Sequence, residues 1–243
     1  MYIEEFKNKV NMLSNLNNIR FSEQDNEKLY KYMELLLEWN EKINLTAITE
    51  ENEIILKHFI DSAIINKYID NAKKLVDVGT GAGFPGMVLK IINKDLDIVL
   101  LDALNKRINF LNEVVKELDL KNIEVTHGRA EEFGRNEEHR EKYDIVTSRA
   151  VANMNVLLEY MMPLVKVGGK CICMKSKNAE EEIETSKNVI TLLGGELEKV
   201  EKLYLENEKK EKYEREIIII RKKCSTPGVY PRKPSKINKK PLF

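Results

Sequence analysis

Between Val76 and Gly86 the chain reads VDVGTGAGFPG, a glycine-dense turn that follows a short apolar run and opens an amphipathic one. A strand that ends in such a turn feeds a helix that packs back onto its own sheet, so the unit calls for a parallel α/β arrangement. The same texture continues downstream of Lys73. Short β-rich runs at 75–79, 98–102, 123–127, 143–148 and 169–174 alternate with helical stretches at 85–92, 106–118, 153–164 and 179–193. That alternation predicts a parallel sheet covered on both faces.

Two further runs, 198–205 and 214–221, carry no long helix between them, and the second holds four consecutive isoleucines, Ile217 to Ile220. They predict an antiparallel hairpin at the sheet edge. Five parallel βα units closed by a β-hairpin follow the strand plan of the methyltransferase variant of the Rossmann sheet. Residues 1–70 read as helical. Ser22 can cap a helix whose apolar positions Leu29, Tyr32, Met33, Leu36 and Leu37 keep a 3.6-residue period, and a second helix is expected from Glu50 through Ile54, Ile55, His58, Ile65 and Tyr68. Residues 224–243 hold four prolines and read as an irregular or extended tail. The expected organisation is a helical extension over 1–70, a core over 71–223 and a basic tail over 224–243.

Charge sharpens this division. The chain has 40 Lys and Arg against 40 Asp and Glu, yet eight of those bases and none of the acids fall between Arg221 and Phe243. The rest is therefore acidic, and a basic tail on an acidic body points to a polyanionic partner. No uncharged apolar stretch is long enough for a membrane helix, and MYIEEFKNKV has no signal-peptide core. Three cysteines and three histidines offer no disulfide framework and no metal constellation. Cys171 and Cys173 would share one strand face as buried small hydrophobes. A reducing cytoplasm is the expected compartment.

The glycines fit two templates. Gly81, Gly83 and Gly86 have the dinucleotide spacing, whereas Gly79, Gly81 and Gly83 have that of S-adenosylmethionine enzymes. Asp102 closes the second strand about twenty residues on, where a carboxylate accepts ribose hydroxyls in either class. Asp77, two residues before the first glycine, tilts the choice, because an acid there can meet a cationic amino group that a nicotinamide dinucleotide lacks. Ala130-Glu131, after the third strand, sits where an adenine-contacting loop belongs, though Glu131 also reads as an ordinary solvated acid at a helix start. Methyl transfer from a sulfonium needs near-attack positioning more than acid–base groups. After the fourth strand the chain reads Ser148-Arg149-Ala150, with neither an (Asn/Asp)-Pro-Pro-(Tyr/Phe) box nor a Pro-Cys pair. Arg149 at the mouth suits a phosphate or the O6/N7 edge of guanine, and guanine N7 already carries its lone pair and needs no base.

These strings resemble the small-subunit ribosomal RNA methyltransferase G family, also called glucose-inhibited division protein B. The matching segments are WNEKINLTAI at 39–48, HFIDS at 58–62, the glycine loop with Phe84-Pro85-Gly86, Lys106-Arg107, Phe110-Leu111, GRAE at 128–131, SRAV at 148–151, Pro231-Arg232-Lys233 and KKPL at 239–242. Ser235-Lys236-Ile237-Asn238 departs from the Gly-Thr pair common in the tail. The resemblance implies a Rossmann-like class I fold with a mostly parallel seven-stranded sheet, and S-adenosylmethionine-dependent N7-methylation of one guanine in 16S ribosomal RNA. It implies that Gly79, Phe84, Ala130, Glu131 and Arg149 line the cofactor and acceptor site. Lys106, Arg107, Arg129 and Lys175 then look like the residues facing RNA, joined by Arg232, Lys233, Lys239 and Lys240 of the tail. A monomer acting on a ribosomal particle is expected. WNEKINLTAIT reads as packing for the cap, and His58 with Asp61 as a structural hydrogen-bonded pair. Two alternatives remain at this stage: an NAD-dependent oxidoreductase and a non-catalytic RNA-binding module.

Overall fold

The computed structural model describes residues 1–69, 71–176 and 179–243. Its N-terminal part begins with α1 (Ile3–Leu16) and α2 (Glu23–Ile43). Ser22 starts α2 through a reciprocal cap: its Oγ accepts from Asp25 N at 3.2 Å while Asp25 Oδ2 accepts from Ser22 N at 2.8 Å. Leu29, Tyr32, Met33 and Leu36 are buried along one face, as their spacing requires. The next stretch is not the single regular helix its sequence suggests. It runs as α3 (Glu51–Ile54), a π-helical turn (Ile55–Ile60), α4 (Asp61–Ala63) and a 3-10 segment (Ile64–Tyr68).

Strands and helices then alternate: β1 (Lys74–Val78), α5 (Gly86–Ile92), β2 (Asp97–Asp102), α6 (Asn105–Glu117), β3 (Ile123–His127), α7 (Ala130–Phe133) and β4 (Tyr143–Arg149). They continue with α8 (Met154–Met161), β5 (Val165–Lys175), α9 (Ala179–Leu192), β6 (Gly195–Glu206), β7 (Lys212–Lys222) and α10 (Pro234–Lys239). The seven strands form one sheet in the order β3-β2-β1-β4-β5-β7-β6. β1 to β5 are parallel, and β7 runs antiparallel to both β5 and β6. β5 begins earlier than its sequence predicts. The run is expected to start at Gly169, but pairing with β4 already begins at Val165 and jumps to Lys170, so Gly168 and Gly169 sit in a bulge within the strand.

Each face of the sheet carries its own core. On one, α1, α2 and the π-turn join α5 and α6 around Tyr32, Phe59, Phe84 and Phe110. On the other, α8 and α9 cover Val76, Val146, Cys171, Cys173 and Ile218. The WNEKINLT segment packs as expected: Leu45 is buried, and Trp39, Ile43 and Ile48 lean on the first core. Asn40 Oδ1 accepts from Leu45 N and Thr46 N at 2.6 and 2.8 Å and so shapes the turn that leaves α2.

The tail departs from its sequence reading in two ways. It contains α10, with Pro234 in the first turn where its missing N–H is harmless. It is also pinned to the core. Glu159 is fully buried and accepts from Arg232 N, Nε and Nη2 at 2.7, 2.9 and 2.7 Å. Arg140 donates to Thr226 O and Tyr230 O, and Arg135 Nε to Pro231 O. Arg232, expected to meet RNA, is therefore committed to a buried carboxylate, while Lys233, Lys239 and Lys240 remain exposed.

Candidate active site at the carboxyl ends of β1 and β4

β1 and β4 are neighbours whose chains leave toward opposite sides of the sheet, which opens a crevice beyond their carboxyl ends. The glycine loop lines one wall. Gly79 sits at φ +69°, and a Cβ there would stand 2.5 Å from Val151 Cγ2, so only glycine lets the loop and the β4 exit approach so closely. Gly79 N and Thr80 N donate to Leu101 O at 2.8 and 3.1 Å, tying the loop to β2. Gly86 serves packing: a Cβ would stand 2.4 Å from Leu100 Cδ2.

The cavity over this loop measures about 400 Å³ and is lined by Gly79, Thr80, Gly81, Phe84, Asp102, Leu104, Arg107, His58, Arg149 and Val151, among others. Asp102 is 3% exposed at the end of β2. Its Oδ2 accepts from Gly81 N at 2.9 Å and Arg107 Nη1 at 3.1 Å, and its Oδ1 accepts from Leu104 N at 2.9 Å. Leu104 and Val151 are 45% and 38% exposed, an apolar pair left open at the rim.

Four residues expected at the cofactor do not line this cavity. Asp77 is fully buried beneath the loop, where Oδ2 accepts from Gly86 N at 2.8 Å and Thr80 Oγ1 at 2.6 Å. Burial raises its carboxyl to about 6, against the lowering pull of those two hydrogen bonds. Asp77 is thus a builder of the turn, although its Oδ1 has no partner among the described residues. Gly83 faces inward toward Tyr32, Met87 and Leu111. Ala130 and Glu131 open α7 beyond β3, with Glu131 buried and 3.8 Å from Arg129 Nη1. Gly128 N donates to Asp102 O at 3.0 Å, which sets that loop beside the cavity.

Arg149 ends β4 and is clamped from the helical cap. Its Nη1 donates to Asp61 Oδ2 at 2.9 Å and Lys57 O at 3.0 Å, and Nη2 donates to His58 Nδ1 at 3.2 Å. Its guanidinium lies 5.2 Å from the centre of the Phe84 ring, which also stacks on His58 at 4.4 Å. A guanidinium has no acceptor, so Nδ1 is the bare nitrogen and Nε2–H donates to Thr46 Oγ1 at 2.9 Å. Burial, then the charge of Arg149, lowers His58 to about 3, leaving a neutral imidazole. His58 and Asp61 are not bonded to each other, as their sequence suggested; both converge on Arg149. Asp61 Oδ1 also accepts from Arg215 Nε at 2.7 Å. Ala150 then turns at φ +56°, left-handed backbone held at the meeting point of two cavities.

The second cavity, about 460 Å³, shares His58, Arg149 and Ala150 with the first and adds Lys57, Asp61, Met174, Lys175, Glu182 and Arg215. Lys175 Nζ donates to Ala152 O and Glu182 Oε2, each at 2.8 Å. Of the other residues expected at RNA, Lys106 is exposed and donates to Ile43 O at 2.8 Å, and Arg129 stands 59% exposed near the rim. Arg107 is not on the outer surface with them but inside the first cavity. Arg215, Lys57 and Thr46 escaped the sequence reading. Arg215 lies in a run of alternating charge before the isoleucines, and nothing local separates it from Glu214 and Glu216.

The first cavity fits an adenosine bearing an amino-acid arm. It has a buried carboxylate, Asp102, hydrogen-bonded to the glycine turn, and apolar side chains, Leu104 and Val151, exposed at its rim. A family model described as rRNA small subunit methyltransferase G matches residues 25–218. A protein of Clostridium botulinum named ribosomal RNA small subunit methyltransferase G is 48% identical over 240 residues, covering 98% of this chain and 99% of its own. Its namesake in Clostridium perfringens is 50% identical over 226 residues, covering 92% and 93%. Among solved structures, TYW2 of M. jannaschii in complex with AdoMet shares 16% identity at a TM-score of 0.52, over 67% of this chain and 76% of that one. A branched-chain polyamine synthase from Thermus thermophilus, bound to N4-aminopropylspermidine and 5'-methylthioadenosine, shares 12% identity at a TM-score of 0.57, over 81% and 65%. These two likenesses concern the fold alone.

Proposed function

The chain belongs to the rRNA small subunit methyltransferase G family, and from that premise we propose a division of labour within its site. The protein is an S-adenosylmethionine-dependent methyltransferase of ribosomal RNA, and the acceptor is guanine N7 in the 16S molecule. The first cavity holds the cofactor, with Gly79, Gly81, Phe84 and Asp102 in contact with it and Ala130-Glu131 closing the adenine side. When bound, the cofactor supplies a methyl group activated on a sulfonium for in-line displacement. The second cavity takes the base.

The observation that carries this reading is the junction: Arg149 and Ala150 belong to both cavities, so a cofactor in one and a base in the other would meet there. Arg149 is presented by its clamp as a fixed cation whose planar fork matches the O6 edge of guanine and nearby phosphate. Lys57, Lys175 and Arg215 add positive charge to the base side, offset by Asp61 and Glu182. No residue needs to remove a proton, since N7 attacks with its own lone pair; positioning supplies the acceleration. The neutral His58 suits this role, because it orients Arg149 without adding a titrating charge beside the sulfonium.

Transfer of tritium from methyl-labelled S-adenosylmethionine to small ribosomal subunits tests the assignment. Arg149→Ala is expected to lose at least a hundredfold in turnover while remaining folded in urea titration, at a cost of about 1 to 3 kcal/mol because Arg215 still pairs with Asp61. Turnover that survives the substitution would remove Arg149 from the site. Absence of transfer by the intact protein would remove the methyltransferase reading itself.

A further inference from the structure

Asp61 carries two arginines on one carboxylate. Arg149, at the end of β4, donates to Oδ2 at 2.9 Å, and Arg215, on β7, donates to Oδ1 through Nε at 2.7 Å. β5 separates those two strands, and Asp61, 3% exposed, bridges the gap as a fixed anchor for both guanidiniums. The charges do not balance. Neither arginine has a second acid within ion-pair distance among the described residues, so two cations on one carboxylate leave a positive charge over. Glu214 and Glu216, the acids flanking Arg215 in sequence, do not supply it: Glu214 offers its backbone oxygen, 2.9 Å from Nη1, and Glu216 accepts from Ala179 N at 2.7 Å. Arg215 thus commits Nε and Nη1 within the protein. Its Nη2 has no protein partner among the described residues, and the side chain, 19% exposed, lines the second cavity. Lys57 lines the same cavity, but its ammonium is already paired with Glu53 at 2.5 Å.

We propose that Arg215 binds a phosphodiester of the RNA backbone beside the target guanine, and that Asp61 sets its spacing from Arg149. The planar fork of a guanidinium matches phosphate oxygens, and such an anion neutralises the charge left over at this carboxylate. A purine nucleotide suits two cations placed side by side. In its anti form the N7 edge and the 5'-phosphate lie on the same side, so a cation seated next to the one at N7 has that phosphate within reach. Arg149 then meets the base edge and Arg215 the backbone. Asp61 comes from the helical cap and both arginines from the sheet, so packing of the cap on the sheet is what couples the two contacts. The inference rests on the placement of the base in the second cavity.

Methyl transfer to small ribosomal subunits, and subunit binding followed against salt, test it in wild type, Arg215→Gln and Arg215→Lys. Glutamine can still donate to Asp61, which keeps Arg149, but it carries no charge. Arg215→Gln is expected to raise KM for subunits about tenfold, the effect of one charged hydrogen bond, with a smaller loss in kcat. Its plot of log affinity against log salt should be shallower by about 0.7 to 0.9, one phosphate contact fewer. Arg215→Lys should recover the slope, because an ammonium still neutralises a phosphate, and part of the KM. Affinity for S-adenosylhomocysteine, measured by calorimetry, should be the same in all three proteins, since Arg215 does not line the first cavity. An unchanged salt slope in Arg215→Gln, with the loss falling on kcat, would overturn the proposal and leave Arg215 as a prop for Asp61 and Arg149. A lysine variant as shallow as the glutamine one would overturn it too. Absence of both methyl transfer and subunit binding in the wild-type protein would strike the assignment of the base cavity instead, so the two failures are distinguishable.

Discussion

His58 and Asp77, two buried titratable side chains near Arg149, respond to protonation in opposite directions. His58 is lowered to about 3 from 6.5, so between those values the unfolded chain binds more protons, and stability falls as pH falls through that window. Asp77 is raised to about 6 from 3.8, so the folded chain binds more protons there, and its contribution to stability is lost as pH rises through about 6. Between pH 4 and 6 the two slopes oppose each other. Urea midpoints measured across that range should therefore separate the single variants. Asp77→Asn leaves the His58 slope uncovered and should lose stability on acidification more steeply than wild type. His58→Gln leaves the Asp77 slope and should lose less. Parallel curves for the three proteins would contradict both placements. Neither environment could be read from sequence: Asp77 was visible as an acid before the glycines, but its position under the loop depends on Gly86 and Leu100 meeting across it.

At the scale of elements, the π-turn and the tail did not follow from local pattern. The apolar period through Ile54, Ile55, His58 and Ile65 was legible, but periodicity does not show that one turn widens, and that turn carries His58 to Arg149 just ahead of Asp61. The strands were legible because parallel βα units carry their own punctuation; the exception was β5, whose glycines hide a bulge. The tail carries both a buried anchor, Arg232, and exposed charge, Lys233, Lys239 and Lys240. Glu159→Ala leaves Arg232 half-buried without its carboxylate and should cost about 3 to 5 kcal/mol in urea or thermal unfolding. Lys239→Ala with Lys240→Ala removes exposed charge and should leave stability within about 0.5 kcal/mol. If those lysines touch phosphate, the pair should also lower the salt dependence of RNA binding by one to two units of slope. A destabilised lysine pair, or an inert Glu159→Ala, would contradict this division.

For the whole molecule, an equal count of acids and bases conceals an acidic body, many of whose cations are paired with acids across the surface. A smaller set stands around the second cavity, at Arg129 and Lys106, and on the exposed side of α10. Sequence showed the basic tail and the glycine loop, because both are contiguous. It did not show that Lys57, Lys175 and Arg215, far apart along the chain, meet at one cavity, since only the sheet order brings β5 and β7 together beside the cap. No helix among the described residues is long and apolar enough to cross a membrane. In the proposed function a polyanion is drawn to the site through local patches, and the chemistry takes place at the junction of the two cavities. The most direct test is to supply methyl-labelled S-adenosylmethionine and small ribosomal subunits from cells lacking this gene, then to digest the RNA and locate the label. The account predicts one labelled nucleotide in 16S ribosomal RNA, recovered as 7-methylguanosine. Label at a ribose hydroxyl, at an exocyclic amine or at another base would contradict it.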